Sequence, residues 1–173
     1  MFRHILLPLD GSVFAESAIP GAVELARRFD GKLTLCQIVN YPNLYVGEGT
    51  FAPQLYRDLE QQHEQEAQAY LESQKAKCEA MGVTTFIEVV VGNGISDVIL
   101  QLADQISVDA IVLCSHGSGG LTRLVFGSTA EEVVRHARVP VVLIRPDHLK
   151  PHAFDSTLDT APAPAVVAPP SAD

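Results

Sequence analysis

Short apolar runs alternate with helical patterns along most of this chain. Residues 4–9 (HILLPL) read as a buried strand, closed by the turn residues Asp10-Gly11-Ser12. Pro8 lacks an N–H for a sheet ladder, so it suits the strand's last positions better than its middle. Ala15, Ala18, Ile19, Ala22, Leu25, Ala26 and Phe29 then recur at steps of three and four, which predicts a helix. Ser12 is its expected N-cap, Pro20 a kink or a shifted start, and Asp30-Gly31 its stop. Residues 32–39 are a second strand, and Pro42, Gly47, Gly49 and Pro53 mark a long loop over 40–54. Residues 55–81 predict a long polar helix, with Leu55, Leu59, Ala67, Tyr70 and Leu71 as a thin apolar stripe and Gly82 as its end. Strands follow at 84–91, 108–114 and 139–145. Helices are expected at 96–106, facing inward through Val98, Ile99, Leu102, Ala103 and Ile106, and at 128–137.

Strands separated by helical stretches imply crossover connections, hence an α/β fold with a parallel sheet and helices on both faces. The composition shifts near the end, where the last residues are rich in Pro and Ala (PAPAVVAPPSAD). The expected organisation is one α/β domain over 1–147 and a disordered tail over 148–173.

Composition narrows the partners. With 173 residues, 47% hydrophobic and 19% charged, the chain reads as one soluble domain. Its formal net charge of −9 and the lack of any Lys/Arg run argue against nucleic acid and membrane surfaces as partners. Cys36, Cys78 and Cys114 form no CxxC pair, which disfavours a disulfide framework or a Cys-rich zinc site. Cys36 and Cys78 read as packing residues. No signal-peptide pattern or membrane-length apolar run is recognisable, so the cytoplasm is the expected compartment.

Ligands of open parallel sheets bind at the carboxyl ends of strands, where the topology switches. Two such ends carry unusual residues: Asp10-Gly11-Ser12, and the segment Ser115 to Ser128. Gly117, Gly119, Gly120 and Gly127 permit close backbone approach and positive φ. Ser128-Thr129-Ala130-Glu131 has the form of a capping box, opening a helix whose apolar face is Ala130, Val133, Val134 and Ala137. A glycine-rich loop feeding a helix N-terminus suits a phosphate. The same residues also make a plain tight turn and cap. GxxxxGK[ST] is absent, and GxGxxG fails at Thr122, so neither a P-loop enzyme nor a dinucleotide oxidoreductase is indicated. His116 beside Cys114 and Ser115 lacks a third orienting group for nucleophilic catalysis. His63 with Glu64 and Glu66 lacks an i, i+4 histidine pair, so a solvated face is the better reading than a metal site.

These residues resemble the universal stress protein (UspA-like) family. ILLPLDGS, TLCQIV, the SHG-x9-GS spacing from Ser115 to Ser128 and the closing AEEVVRHARVPVVLIR carry the likeness over about residues 2–146. The resemblance implies a flavodoxin-like (Rossmann-like) sheet of five parallel strands in the order 3-2-1-4-5. Its ATP-binding branch has G-x2-G-x9-G-[ST]. Gly117, Gly127 and Ser128 match that pattern, whereas Cys114 stands where its first glycine would be. By the same likeness Asp10 faces ribose, next to Pro8 at the end of the first strand, and Ile38 holds adenine. Gly117, Gly127, Ser128 and Thr129 hold phosphates, with His116 and Gly120 in the same loop. Arg123 either faces the phosphates or is a solvated loop charge. The expected ligand is ATP, with Mg²⁺ in company, and the expected assembly is a homodimer through edge strand 139–145. The implied role is nucleotide sensing in stress adaptation, with slow hydrolysis at most, because the loop has no lysine. Two rivals stand beside it: a same-fold interaction protein without nucleotide, favoured by Cys114, and an ATPase built on the same site.

Overall fold

A computed structural model describes residues 2–40, 53–115 and 127–145, with the side chains of 53–57 excepted. The element order is β1 His4–Pro8, α1 Val13–Glu16, α2 Ile19–Arg28, β2 Lys32–Val39, α3 Pro53–Ala80, β3 Thr85–Val91, α4 Ile95–Gln105, β4 Ala110–Cys114, α5 Ser128–His136 and β5 Val141–Ile144. The strands form one sheet in the order β3-β2-β1-β4-β5, every neighbouring pair parallel. The loop expected over 40–54 and the tail expected over 148–173 lie almost wholly outside the described residues.

Each sheet face carries its own core, because all three inner strands are apolar on both sides. One face packs Ile5, Leu7, Leu33, Leu35 and Val112 against α1, α2 and the Leu71 and Cys78 side of α3. The other packs Leu6, Cys36, Ile111 and Leu113 against Ile99, Leu102 and Ala103 of α4 and Ala130 and Val133 of α5. Ser96, buried at the start of α4, is hydrogen-bonded to Glu132 of α5 and so joins the two helices of that layer.

Pro8 ends β1, as its chemistry predicts. The Leu9 N–H donates to Cys36 O on β2 (2.8 Å), so the position before it turns its backbone nitrogen toward β4. The β1–β4 register runs only through Ile5↔Ala110 and Leu6↔Ile111, so Pro8 removes a donor where that ladder has stopped. The two strands at the topological switch therefore part company just below the Asp10 turn.

Four expectations need correction. The single helix after β1 is two helices, because Pro20 sits in the first turn of α2, where its missing N–H costs nothing. The buried stripe of α3 is Ala67, Leu71, Gln74 and Cys78, whereas Leu59 is 37% exposed. Ser128 does not cap α5: the N-cap is Gly127, which has no side chain to cap with, so the expected box does not form. Val134 is likewise exposed, leaving Ala130 and Val133 as the helix's buried residues.

One glycine is required by packing. A Cβ on Gly21 of α2 would fall far inside van der Waals separation from Cδ1 of Ile144, and 3.6 Å from its Cγ1. Gly21 thus lets α2 lie close to edge strand β5.

Candidate functional site

The carboxyl end of β1 leads into a tightly organised turn. Gly11 has φ +79, a conformation glycine adopts without penalty. Ser12 N–H donates to Asp10 Oδ1 (3.0 Å), and Ser12 Oγ accepts from Ala15 N–H (3.1 Å), capping α1. The Asp10 residue is exposed beyond the strand end. The turn reading and the ligand reading of Asp10 are therefore compatible: Oδ1 is oriented by the backbone, while the carboxylate faces outward.

Helix α1 is a single turn held from both sides. Ser17 Oγ lies 3.7 Å from Cys114 Sγ at the end of β4. Glu16 Oε1 accepts from Tyr70 Oη–H and from Gln74 Nε2–H on α3, each at 3.2 Å. Gln74 Oε1 in turn accepts from Lys77 Nζ at 3.1 Å. Burial, then the Glu16 carboxylate, and lastly the charge of Asp10 push the Tyr70 hydroxyl above its ordinary value. This network escaped the sequence reading. The signal for it was Gln74, a polar residue on the same helical face as Leu71 and Cys78.

At the end of β4, Ser115 N–H donates to Ile144 O (2.9 Å), and Gly127 N–H donates to Ser115 O (3.1 Å). That bond fixes the start of α5 to the end of β4, beside the switch. Gly127 O then accepts from Glu131 N–H (2.9 Å), beginning the helix. Gly127 itself has φ −56 and ψ 144, so positive φ is not why glycine stands there. Among the described residues no side chain caps α5, so its first-turn N–H groups and the positive end of the helix dipole are suited to meet an anion.

The side chains divide between the two faces. Ile38 is half-buried and packs into the core shared with α4 and α5. Thr129 is half-buried and Ser128 exposed in the first turn of α5. Cys114 instead packs into the opposite core, toward α1. Pro8, Asp10, Ile38, Gly127, Ser128 and Thr129 thus gather along the carboxyl edge of the sheet, whereas the Cys114 thiol turns away from the α5 side. His116, Gly117, Gly120 and Arg123 lie outside the described residues.

All three cysteines are free thiols. Burial raises the Cys36 thiol, and pushes that of Cys78 up to about 11. Among the described residues, no group of three or more His, Cys, Asp or Glu could hold a metal ion, and no helix is long and apolar enough to cross a membrane.

A model of the universal stress protein family matches residues 1–145. Universal stress protein MJ0531 of Methanocaldococcus jannaschii is 29% identical over 148 residues, spanning 84% of this chain and 83% of its own length. The solved structure of universal stress protein UspA from Lactobacillus plantarum superposes with a TM-score of 0.70 at 26% identity, over 83% of this chain and 98% of that one. A structure of the hypothetical protein MJ0577 gives a TM-score of 0.73 at 24% identity, over 84% and 96% of the two chains. Two further structures of this fold, each 22% identical, are a universal stress protein in complex with cAMP (TM-score 0.59, 83% of this chain and 97% of that one) and one from Archaeoglobus fulgidus in complex with dAMP (TM-score 0.54, 81% and 95%).

Proposed function

This chain belongs to the universal stress protein family, and we propose that it is a nucleotide-sensing module of the stress response, binding ATP in the crevice at the carboxyl ends of β1 and β4. The observation that carries this reading is the N-terminus of α5, with glycine at its N-cap, tied to the end of β4 by the Gly127–Ser115 bond and entered through the Gly117-x9-Gly127-Ser128 spacing. Gly127, Ser128 and Thr129 hold the phosphates through backbone N–H and hydroxyl groups. The Asp10 carboxylate receives ribose hydroxyl donors, and Ile38 flanks the base from the α5 side of the sheet. Gly117, Gly120, His116 and Arg123 complete the loop, Pro8 shapes the floor and Mg²⁺ accompanies the triphosphate. The direction of the Cys114 thiol supports the reading, since its bulk is placed against α1. So does the fold's ability to hold an adenine mononucleotide, as in the cAMP and dAMP complexes of the two structures above.

The reading extends to assembly and place. Strand β5 is an edge, and its four residues are all half-buried, which suits pairing with a second copy through 139–145. The binding domain is 1–147, with 148–173 as an appended tail, and the module works in the cytoplasm. Catalysis is not its task, since the 116–126 segment has no lysine to stabilise phosphoryl transfer.

Thermal unfolding of ligand-free protein with ATP–Mg²⁺, GTP and AMP tests the reading, repeated on Gly127→Val. A ligand at a hundred times its Kd adds about 2.7 kcal/mol, roughly 5–10 °C for a domain of this size. Because the backbone angles of Gly127 are open to valine, loss of the ATP shift in that variant reports the phosphate site, with each protein measured against its own unliganded midpoint. No shift at millimolar ATP leaves a same-fold interaction protein. Turnover above the buffer background would revive the ATPase.

A further inference from the structure

Helix α1 has four residues, too few to hold a helical turn by itself. Its start is capped by Ser12 and its end is gripped by α3 through Glu16. A continuous path of hydrogen bonds joins that grip to the site. Tyr70 Oη–H and Gln74 Nε2–H donate to Glu16 Oε1. Glu16 N–H donates to Ser12 O at 3.1 Å, and Ser12 N–H donates to Asp10 Oδ1 at 3.0 Å. Gln74 is only 3% exposed, and a polar amide so placed in a helix stripe is costly unless its partners are fixed. Both donors converge on one carboxylate oxygen, so Glu16 has a single favourable place, and the turn bearing Asp10 is set with it.

Resting on the nucleotide reading above, we infer that Tyr70 and Gln74 are positioning residues for Asp10, acting through Glu16 and α1, and that they determine how strongly the site prefers a ribonucleotide to its deoxy analogue. Neither residue touches the ligand. Their effect falls chiefly on the ribose, because the phosphates are held at α5, which α1 reaches only through the weaker Ser17–Cys114 contact at the end of β4. Loosening α1 therefore costs binding chiefly for a ligand whose hydroxyl meets Asp10.

Calorimetric titration of the full chain with ATP, 2′-deoxyATP and 3′-deoxyATP distinguishes the possibilities. The wild type is expected to favour ATP over at least one deoxy analogue. Tyr70→Phe, which removes one hydroxyl, is expected to lower ATP affinity on the order of fivefold and to leave that analogue within about twofold of wild type. Glu16→Gln keeps an acceptor oxygen at Oε1 and is expected to retain the preference, whereas Glu16→Ala loses it. Unfolding midpoints of the variants confirm that each is folded; if Glu16→Ala is not, Tyr70→Phe decides alone. A Tyr70→Phe protein with the wild-type preference overturns the inference. So does equal weakening toward all three ligands, the signature of general destabilisation, or a wild type indifferent to the hydroxyls. A wild type that binds none of the three overturns the nucleotide reading and this inference together.

Discussion

Replacing Gly21 by alanine sets a methyl group against Ile144. The nearest atom is Cδ1, far inside the separation of about 3.5–4.0 Å at which carbon atoms rest, and the next is Cγ1 at 3.6 Å. Alanine within a helix gains about 0.5–1 kcal/mol over glycine, while overpacking costs about 1–3 kcal/mol. Ile144 lies half-buried on an edge strand and can yield in part, so the expected net loss is about 1 kcal/mol. Ile144→Val removes Cδ1 and leaves the 3.6 Å contact, at a cost of about 0.5–1.5 kcal/mol by itself. In the Gly21→Ala/Ile144→Val double variant the clash is gone and the helix gain remains. Its stability should match or exceed that of Ile144→Val, giving a coupling of about 1–2 kcal/mol. Equilibrium urea unfolding of the four proteins at one protomer concentration measures the cycle. Additivity within about 0.5 kcal/mol, or a stabilising Gly21→Ala in the parent background, would show that α2 does not approach β5 as described.

Leu71→Ala should cost about 2–5 kcal/mol and Leu59→Ala less than about 0.5 kcal/mol, since only Leu71 is in the core; comparable losses in urea unfolding would contradict the α3 packing. Burial, then the Lys32 charge, holds the His4 imidazole below its ordinary 6.5, so the unfolded chain takes up this proton first. Stability should therefore fall as pH drops from 6.5 toward the lowered folded value and then level off for this group; His4→Gln should flatten that segment, and an unchanged slope would assign it elsewhere. Brief iodoacetamide treatment of native protein at neutral pH should label Cys114, which is half-buried, ahead of the fully buried Cys36 and Cys78, with all three reacting after denaturation; mass spectrometry that finds Cys36 or Cys78 labelled first would refute their placement.

The five strands were legible because each is a continuous apolar run between turn residues. Their spatial order was not in that pattern: it came with the family resemblance, and the register from Pro8↔Cys36 to Cys114↔Ile144 agrees with it. The break between α1 and α2 was obscured because Ala15, Ala18 and Ala22 keep helical spacing across it. The α5 cap was misread for a related reason. Ser-x-x-Glu marks a box only when the serine stands just outside the helix, and here Ser128 is its first residue because Gly127 O takes the Glu131 N–H. The direction of Cys114 needed tertiary information, since strand alternation separates Leu113 from Cys114 without saying which helices cover either face. Of the candidate site, the Asp10 turn and the start of α5 could be singled out from strand ends and glycines, whereas Ile38 came with the family resemblance. The support beneath Asp10 could not be singled out, because Tyr70 and Gln74, which donate to the Glu16 carboxylate, lie 54 and 58 residues beyond Glu16 in the chain.

The central place of β1 shapes how the chain acquires its fold. On a ribosome adding about 5–20 residues per second, β1 and β2 emerge early and can associate. The other flank of β1 must wait for β4: His4 and Asp109, joined in the finished sheet, stand 105 residues apart in sequence. For seconds of synthesis that flank is an open template for a neighbouring nascent chain. Pro8, whose nitrogen faces this flank, offers no donor there, so the exposed edge can extend little past Leu6. The residue that closes the strand beneath the crevice also guards the half-made protein from pairing with the wrong chain.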